Sequence, residues 1–204
     1  YVMPRLFPSL RLKRLRKLES IRALVRETRL SVDNFIMPYF IAEGKDKKEP
    51  IPSMPGVFRL SIDNLIKEID QLYKLGIKAV LLFGVTREKD EKGTGASKGN
   101  GVLQRAIRQA RLNFPDISIF SDVCLCGYTR YGHCGVIRRQ KTEIRNQKKD
   151  LSSVFRHLPS DFIDNDETLK ILKKIALSHA EAGVDFVAPS GMVDGQVLSI
   201  RKAL

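Results

Sequence analysis

The sequence predicts an α/β fold with a parallel sheet, on three observations. Short apolar runs of strand length alternate with stretches whose apolar residues recur at helical spacing. The turns after the helices are short, and the loops after the strands are long and polar. Such loops at strand C-terminal ends suit a (β/α)8 barrel and a doubly wound sheet alike. No G-x-G-x-x-G follows the first strand, which lowers the dinucleotide-binding form.

The elements follow in order. Residues 1–34 form a basic arm in which Leu10, Leu12, Leu15 and Leu18 alternate with arginine and lysine, with a short helix expected over Ser20 to Arg29. The arm carries too little apolar surface for a core of its own, so it is expected to lie on another surface. "FIMPYFIAEG" (35–44) is the first strand, although Pro38 normally confines a strand to an edge or a bulge. "IPSMPGVFRLS" reads as a loop. Ser61 can cap a helix with Ile62, Leu65, Ile66, Ile69 and Leu72 on one face, ended by Gly76. "KAVLLFG" (78–84) is apolar throughout, as in a strand buried on both faces.

A polar, glycine-rich loop separates that strand from a second helix, marked by Val102, Leu103, Ala106, Ile107 and Ala110 and closed by Asn113 and Pro115. "ISIFSDV" (117–123) is the third strand. Residues 164–183 form a helix with acidic residues in the first turn, where they suit the dipole, and glycine at the end. "VDFVAPS" (184–190) is the fourth strand, and a fourth helix begins after it. A full barrel needs about 250 residues. The roughly 170 residues after the arm supply four βα units by this pattern, so a barrel chain of this length is half of one.

The formal charge of +13 is unevenly placed. Residues 1–30 carry nine basic and two acidic residues, and residues 137–162 carry seven basic and three acidic. The body between is nearly neutral. Basic patches fit nucleic acid, yet aromatic residues do not interleave with them and no nucleic-acid motif accompanies them. A solvated arm or a subunit contact is the reading preferred. No run approaches the roughly 18 apolar residues of a membrane helix. No apolar signal core opens the chain, which begins at Tyr1 with Met3 as a candidate start. A cytoplasmic location is expected, with organellar import left open by the arginine-rich beginning.

All three cysteines lie in "SDVCLCGYTRYGHCGV", at Cys124, Cys126 and Cys134. Three cannot all pair with one another, so metal binding or thiol chemistry is expected over a disulfide framework. Cys124 and Cys126 are two apart, so an extended backbone turns both thiols to one side. Three soft ligands favour zinc and leave one coordination position open, as in catalytic sites. The competing reading is three buried free thiols packed as small apolar groups, which the polar neighbours Thr129, Arg130 and His133 disfavour. His133 is a fourth ligand, an alternative ligand or an outer hydrogen-bond donor, and the spacing favours a role other than ligand. Asp122 orients a metal-bound water, accepts a proton near the metal, or serves as a cap or salt-bridge partner.

Together these residues resemble the zinc-dependent branch of the porphobilinogen synthase (5-aminolevulinate dehydratase) family. Its strand ends in Asp-x-Cys-x-Cys, followed by Tyr-Thr and Gly-His-Cys-Gly. "RLKRLRKLESIRALVRET", "IMPYFI", "MPGVFRLS", "LLFGV", "DNDETL" and "DFVAPSGMVDGQVLSIRKAL" are also similar, in the same order. The resemblance implies a (β/α)8 TIM barrel with an N-terminal arm (1–34) that embraces a neighbouring subunit, in octamers. Residues 35–204 would be the first four βα units. It implies condensation of two 5-aminolevulinate molecules to porphobilinogen with loss of two waters, in haem biosynthesis. Zinc would be held by Cys124, Cys126 and Cys134, with Asp122 and Ser190 beside the substrates. Magnesium is a second candidate ion for the whole enzyme.

Two features depart from the family pattern. The family's Schiff-base lysines lie beyond the "DGQVLSIRKAL" match, so these 204 residues alone are expected to be inactive. A basic insertion at about 137–161 stands where the family has a shorter link. The rival reading is a non-enzymatic zinc module with basic arms that bind nucleic acid.

Overall fold

The computed structural model describes residues 11–137 and 163–204, so most of the basic insertion and the first ten residues of the arm lie outside the described residues. Eight strands and five α-helices are present among them. They run as α1 (Glu19–Leu24), β1 (Met37–Ala42), β2 (Lys48–Pro50), β3 (Phe58–Leu60), α2 (Ile62–Lys74), β4 (Ala79–Val85), α3 (Val102–Asn113), β5 (Ser118–Val123), β6 (Val136–Ile137), β7 (Ile163–Asp164), α4 (Asn165–Ala182), β8 (Phe186–Pro189) and α5 (Gln196–Arg201). Mixed α/β structure with a parallel sheet is what the alternation predicts.

The main sheet has the order β2-β3-β1-β4-β5-β8. β3, β1, β4, β5 and β8 are mutually parallel, and β2 is antiparallel on the outer edge. β2 and β3 fall in and next to a stretch expected to be loop. Each is three residues long, too short to show a period. Pro38 is accommodated because β1 pairs along its whole length with β4 but meets β3 only at Phe40 and Ile41. The flank left unpaired at Pro38 tolerates a residue with no N–H.

α2 and α3 pack Leu65, Ile69, Leu103, Ala106 and Ile107 against Tyr39, Ile41, Val80, Leu82 and Ile119 of the sheet. The other face is different. β4 alternates between fully buried and half-buried positions, so it is not buried on both faces as its apolar run suggests. On that second face Phe40 stacks on Phe83 at 4.9 Å and Phe120 on Phe186 at 4.4 Å, with Phe186 52% exposed. Among the described residues no second layer covers these rings.

Local signals hold with one exception. Asp164 caps α4 by accepting from the Glu167 N–H at 3.1 Å, and Gly183 closes the helix at φ +98°. Ser61 stands at the start of α2, but its hydroxyl makes no cap bond there. It accepts from the Lys47 N–H at 2.9 Å, tying β2 to the helix start. α1 is shorter than expected, and nothing in it is buried. At the strand N-terminal ends, Arg111 of α3 meets Asp185 at 2.5 Å, and Asp185 accepts the Ile119 N–H at 2.7 Å, joining α3, β5 and β8.

Candidate metal centre

The alternation of β5 sends Ile119, Ser121 and Val123 toward the helices and leaves Asp122 on the open face. The chain then turns sharply. The N–H groups of Tyr128 and Thr129 both donate to the Leu125 carbonyl at 2.9 Å. This turn, not an extended backbone, places the Cys124 and Cys126 sulfurs 3.3 Å apart. Cys134 returns to them, and the three Sγ atoms all lie within 4.8 Å of one another. Cys124 is buried, Cys134 half-buried and Cys126 exposed, so the group opens to one side. Among the described residues it is the one group of three or more His, Cys, Asp or Glu side chains close enough to share an ion, and His133 is not part of it.

Two contacts hold the Cys134 end. The Thr168 hydroxyl, in the first turn of α4, accepts from the Val136 N–H at 3.0 Å and donates to the Asp164 carbonyl at 2.6 Å. Gly135 passes so near that turn that an added Cβ would lie 2.5 Å from the Ile163 side chain and 2.9 Å from the Thr168 hydroxyl. Sequence reasoning missed Thr168; the glycine flanking Cys134 was the available signal. On the Cys126 side an added Cβ at Gly127 would lie 2.5 Å from the Gly84 carbonyl oxygen, and one at Gly84 would strike the Tyr128 hydroxyl. The cysteine turn thus rests directly on the β4 backbone.

Ser190, just past β8, lies beside both the Asp122 carboxylate and the Cys124 sulfur, where its single hydroxyl proton can be donated to one or the other. Gly191 follows, where an added Cβ would lie 3.7 Å from that of Cys134. Asp122, Ser190 and the three cysteines therefore share one site at the C-terminal ends of β5 and β8.

The electrostatics follow from this crowding. Cys124 is held well below the usual thiol range, because the Cys126 and Cys134 thiols donate to it and Ser190 adds a further bond. Cys126 is pushed up, since its proton is held by Cys124, and Cys134 is raised for the same reason. Burial pushes the Asp122 carboxyl up to about 6; the Ser190 bond opposes this and the Cys124 charge adds to it. Three converging soft donors with an open side fit zinc in a three-ligand site.

A family signature described as delta-aminolevulinic acid dehydratase matches residues 9–204. The curated delta-aminolevulinic acid dehydratase of Methanothermus sociabilis is 46% identical over 198 residues, spanning 97% of this chain and 55% of that protein. The one from Ruminiclostridium josui is 43% identical over 192 residues, spanning 94% of this chain and 83% of that protein. Among solved structures, delta-aminolevulinic acid dehydratase (porphobilinogen synthase) from Toxoplasma gondii ME49, in complex with the reaction product porphobilinogen, superposes with a TM-score of 0.81 at 35% identity. That match covers 96% of this chain and 50% of that one. The chain belongs to the delta-aminolevulinic acid dehydratase family. It spans about half the length of the Methanothermus relative and of the solved structure. Among the described residues no helix is long and apolar enough to cross a membrane.

Proposed function

We propose that these residues form the metal-holding half of a porphobilinogen synthase, which condenses two 5-aminolevulinate molecules with loss of two waters. The observation that carries this is the convergence of Cys124, Cys126 and Cys134 within 4.8 Å, in a chain of this family. The three thiolates hold zinc. When bound, zinc supplies Lewis-acid polarisation of a substrate carbonyl. Asp122 is the proton-handling group of the site: its carboxyl, near pH 6, stands close enough to neutrality to hold or release a proton there. Ser190 keeps that carboxylate and the Cys124 sulfur in fixed register. His133 takes no ligand role. The open, phenylalanine-lined sheet face becomes the interior of a (β/α)8 barrel, and the basic arm contacts a neighbouring subunit of an octamer in the cytoplasm. Magnesium acts elsewhere in the whole enzyme.

No lysine here corresponds to the Schiff-base positions the resemblance implies, so the 204 residues alone make no porphobilinogen. The nucleic-acid-binding zinc module has less support, because three ligands leave an open position that a purely structural zinc site lacks. The test is porphobilinogen formation from 5-aminolevulinate by the natural protein that contains these residues, before and after zinc chelation. Loss on chelation, recovery with zinc and no recovery in Cys126→Ser are expected. Chelator-resistant turnover by Cys126→Ser would remove the metal reading.

A further inference from the structure

The loop between β4 and α3 touches the cysteine turn at a point that the metal reading leaves unexplained. Asp90 lies at its centre. One carboxylate oxygen accepts the Lys92 N–H at 2.8 Å and the Thr94 N–H at 3.1 Å. The other accepts the Thr94 N–H and the Thr94 hydroxyl. These bonds fold residues 90–94 into a tight turn, with Gly93 left-handed at φ +62°. Although burial alone would raise the carboxyl, the donors from Thr94, Lys92 and Gly93 hold it below the usual carboxylate range.

The backbone of the same residue reaches across. Asp90 and Thr129 form an isolated parallel bridge: the Asp90 N–H donates to the Tyr128 carbonyl at 3.3 Å, and the Arg130 N–H donates to the Asp90 carbonyl at 2.9 Å. Thr129, 2% exposed, passes the restraint on, its hydroxyl donating to the His133 carbonyl at 2.8 Å, one residue before Cys134. Gly93 closes the contact from the other end. A Cβ there would lie 2.7 Å from a methyl of Leu125, the residue between the first two cysteines. The span between Cys126 and Cys134 is thus clamped at Thr129 by a residue more than thirty positions upstream.

We propose that Asp90 is a positioning residue for the cysteine site: its carboxylate fixes the 90–94 turn, and that turn holds the Cys126–Cys134 span where the three sulfurs converge. This rests on the metal reading above, and it touches no substrate or ion. Loss of an outer partner of a metal site typically costs roughly 10- to 100-fold in affinity. The experiment compares the chain with Asp90→Ala, Asp90→Asn and Asp185→Asn. The last breaks the Arg111 contact at the far end of the strands and serves as a control for general destabilisation. Zinc affinity is measured by competition with a chromogenic chelator, and cobalt(II) absorption reports the number of thiolates bound. Capture of phenylarsine oxide, which bridges two neighbouring thiols, is read by mass.

Asp90→Ala is expected to lose roughly 10- to 100-fold in zinc affinity and to bind cobalt with fewer thiolates. Asp90→Asn, which keeps an acceptor oxygen, recovers most of the affinity, and Asp185→Asn retains it while melting earlier. Zinc affinity within about twofold of the parent and an unchanged cobalt spectrum in Asp90→Ala overturn the proposal. If the parent binds no metal yet captures the arsenical, and Asp90→Ala does not, the positioning role stands and the metal reading falls. Equal capture by both overturns the positioning role.

Discussion

On β5, Ser121 and Asp122 are neighbours in sequence that point to opposite faces of the sheet. Ser121 is wholly buried beneath α4, and its hydroxyl lies 3.0 Å from Nδ1 of His179, itself 1% exposed. Asp122 looks out from the other face toward Ser190 and Cys124. Burial acts on both ionisable groups, with opposite consequences. It drives the imidazole down to about 4, keeping it neutral, and lifts the carboxyl to about 6. The helix-covered face holds the chain together. The face that no described element covers keeps the Asp122 carboxyl close to neutrality. One strand serves both because successive side chains alternate.

The sharpest way to break this comparison is a pair of truncations on β4. Leu82 faces the helices and is fully buried, so Leu82→Ala is expected to cost about 2–5 kcal/mol in denaturant unfolding. Phe83→Ala, on the open face one residue on, should cost less than about 2 kcal/mol despite removing a larger side chain, because that ring is only half-buried, stacked on Phe40. Equal losses would mean that the second face is packed in solution.

The pH dependence comes next in size. His179 has a folded value near 4 against 6.5 unfolded, so the unfolded chain binds more protons between those limits. Stability is full above about pH 6.5 and falls as pH drops toward 4, by up to about 3 kcal/mol. Asp122 acts with the opposite sign. Its folded value is raised, so its contribution is present below the unfolded value of 3.8 and is lost as pH rises through about 6. Metal-free Asp122→Asn is therefore expected to be more stable than the parent at pH 8 and not at pH 4. Melting curves across pH 4–8, with and without His179→Gln, separate the two; a parent profile unchanged by His179→Gln would show that the imidazole is not the acid-sensitive group. The smallest effect is expected at the seam between strand and cysteine turn. Gly127→Ala must displace the Gly84 backbone and should cost about 1–3 kcal/mol, with part of the zinc affinity.

Much of the fold is legible in the amino acids because its signals are local. The apolar spacing of Leu65, Ile69 and Leu72 marks α2, the acidic first turn and Gly183 bound α4, and Val80 and Leu82 sit in a run too short and apolar for anything but a strand. The metal-ligand candidates are equally plain, since three cysteines in eleven positions need no tertiary argument. What failed to show is non-local. Phe58–Leu60 lies beside β1 because the returning chain meets a free sheet edge, and three residues cannot announce that by period. Ser61 has the sequence of a cap, yet its hydroxyl is taken by Lys47. An apolar strand run does not say which of its faces receives helices.

The sequence by itself determined the order of the four longer strands and the helices between them, the identity of the three thiols and the acid that precedes them, because propensity, capping and short spacings act within a few residues. Only the tertiary structure decided that Ser190 joins Asp122 and Cys124, that Thr168 and Gly135 seat the Cys134 end, and that Asp90 reaches Thr129. Each of those is a close approach between backbones far apart along the chain. Such contacts leave no periodic trace in the residues that make them, beyond an occasional glycine where a Cβ would not fit.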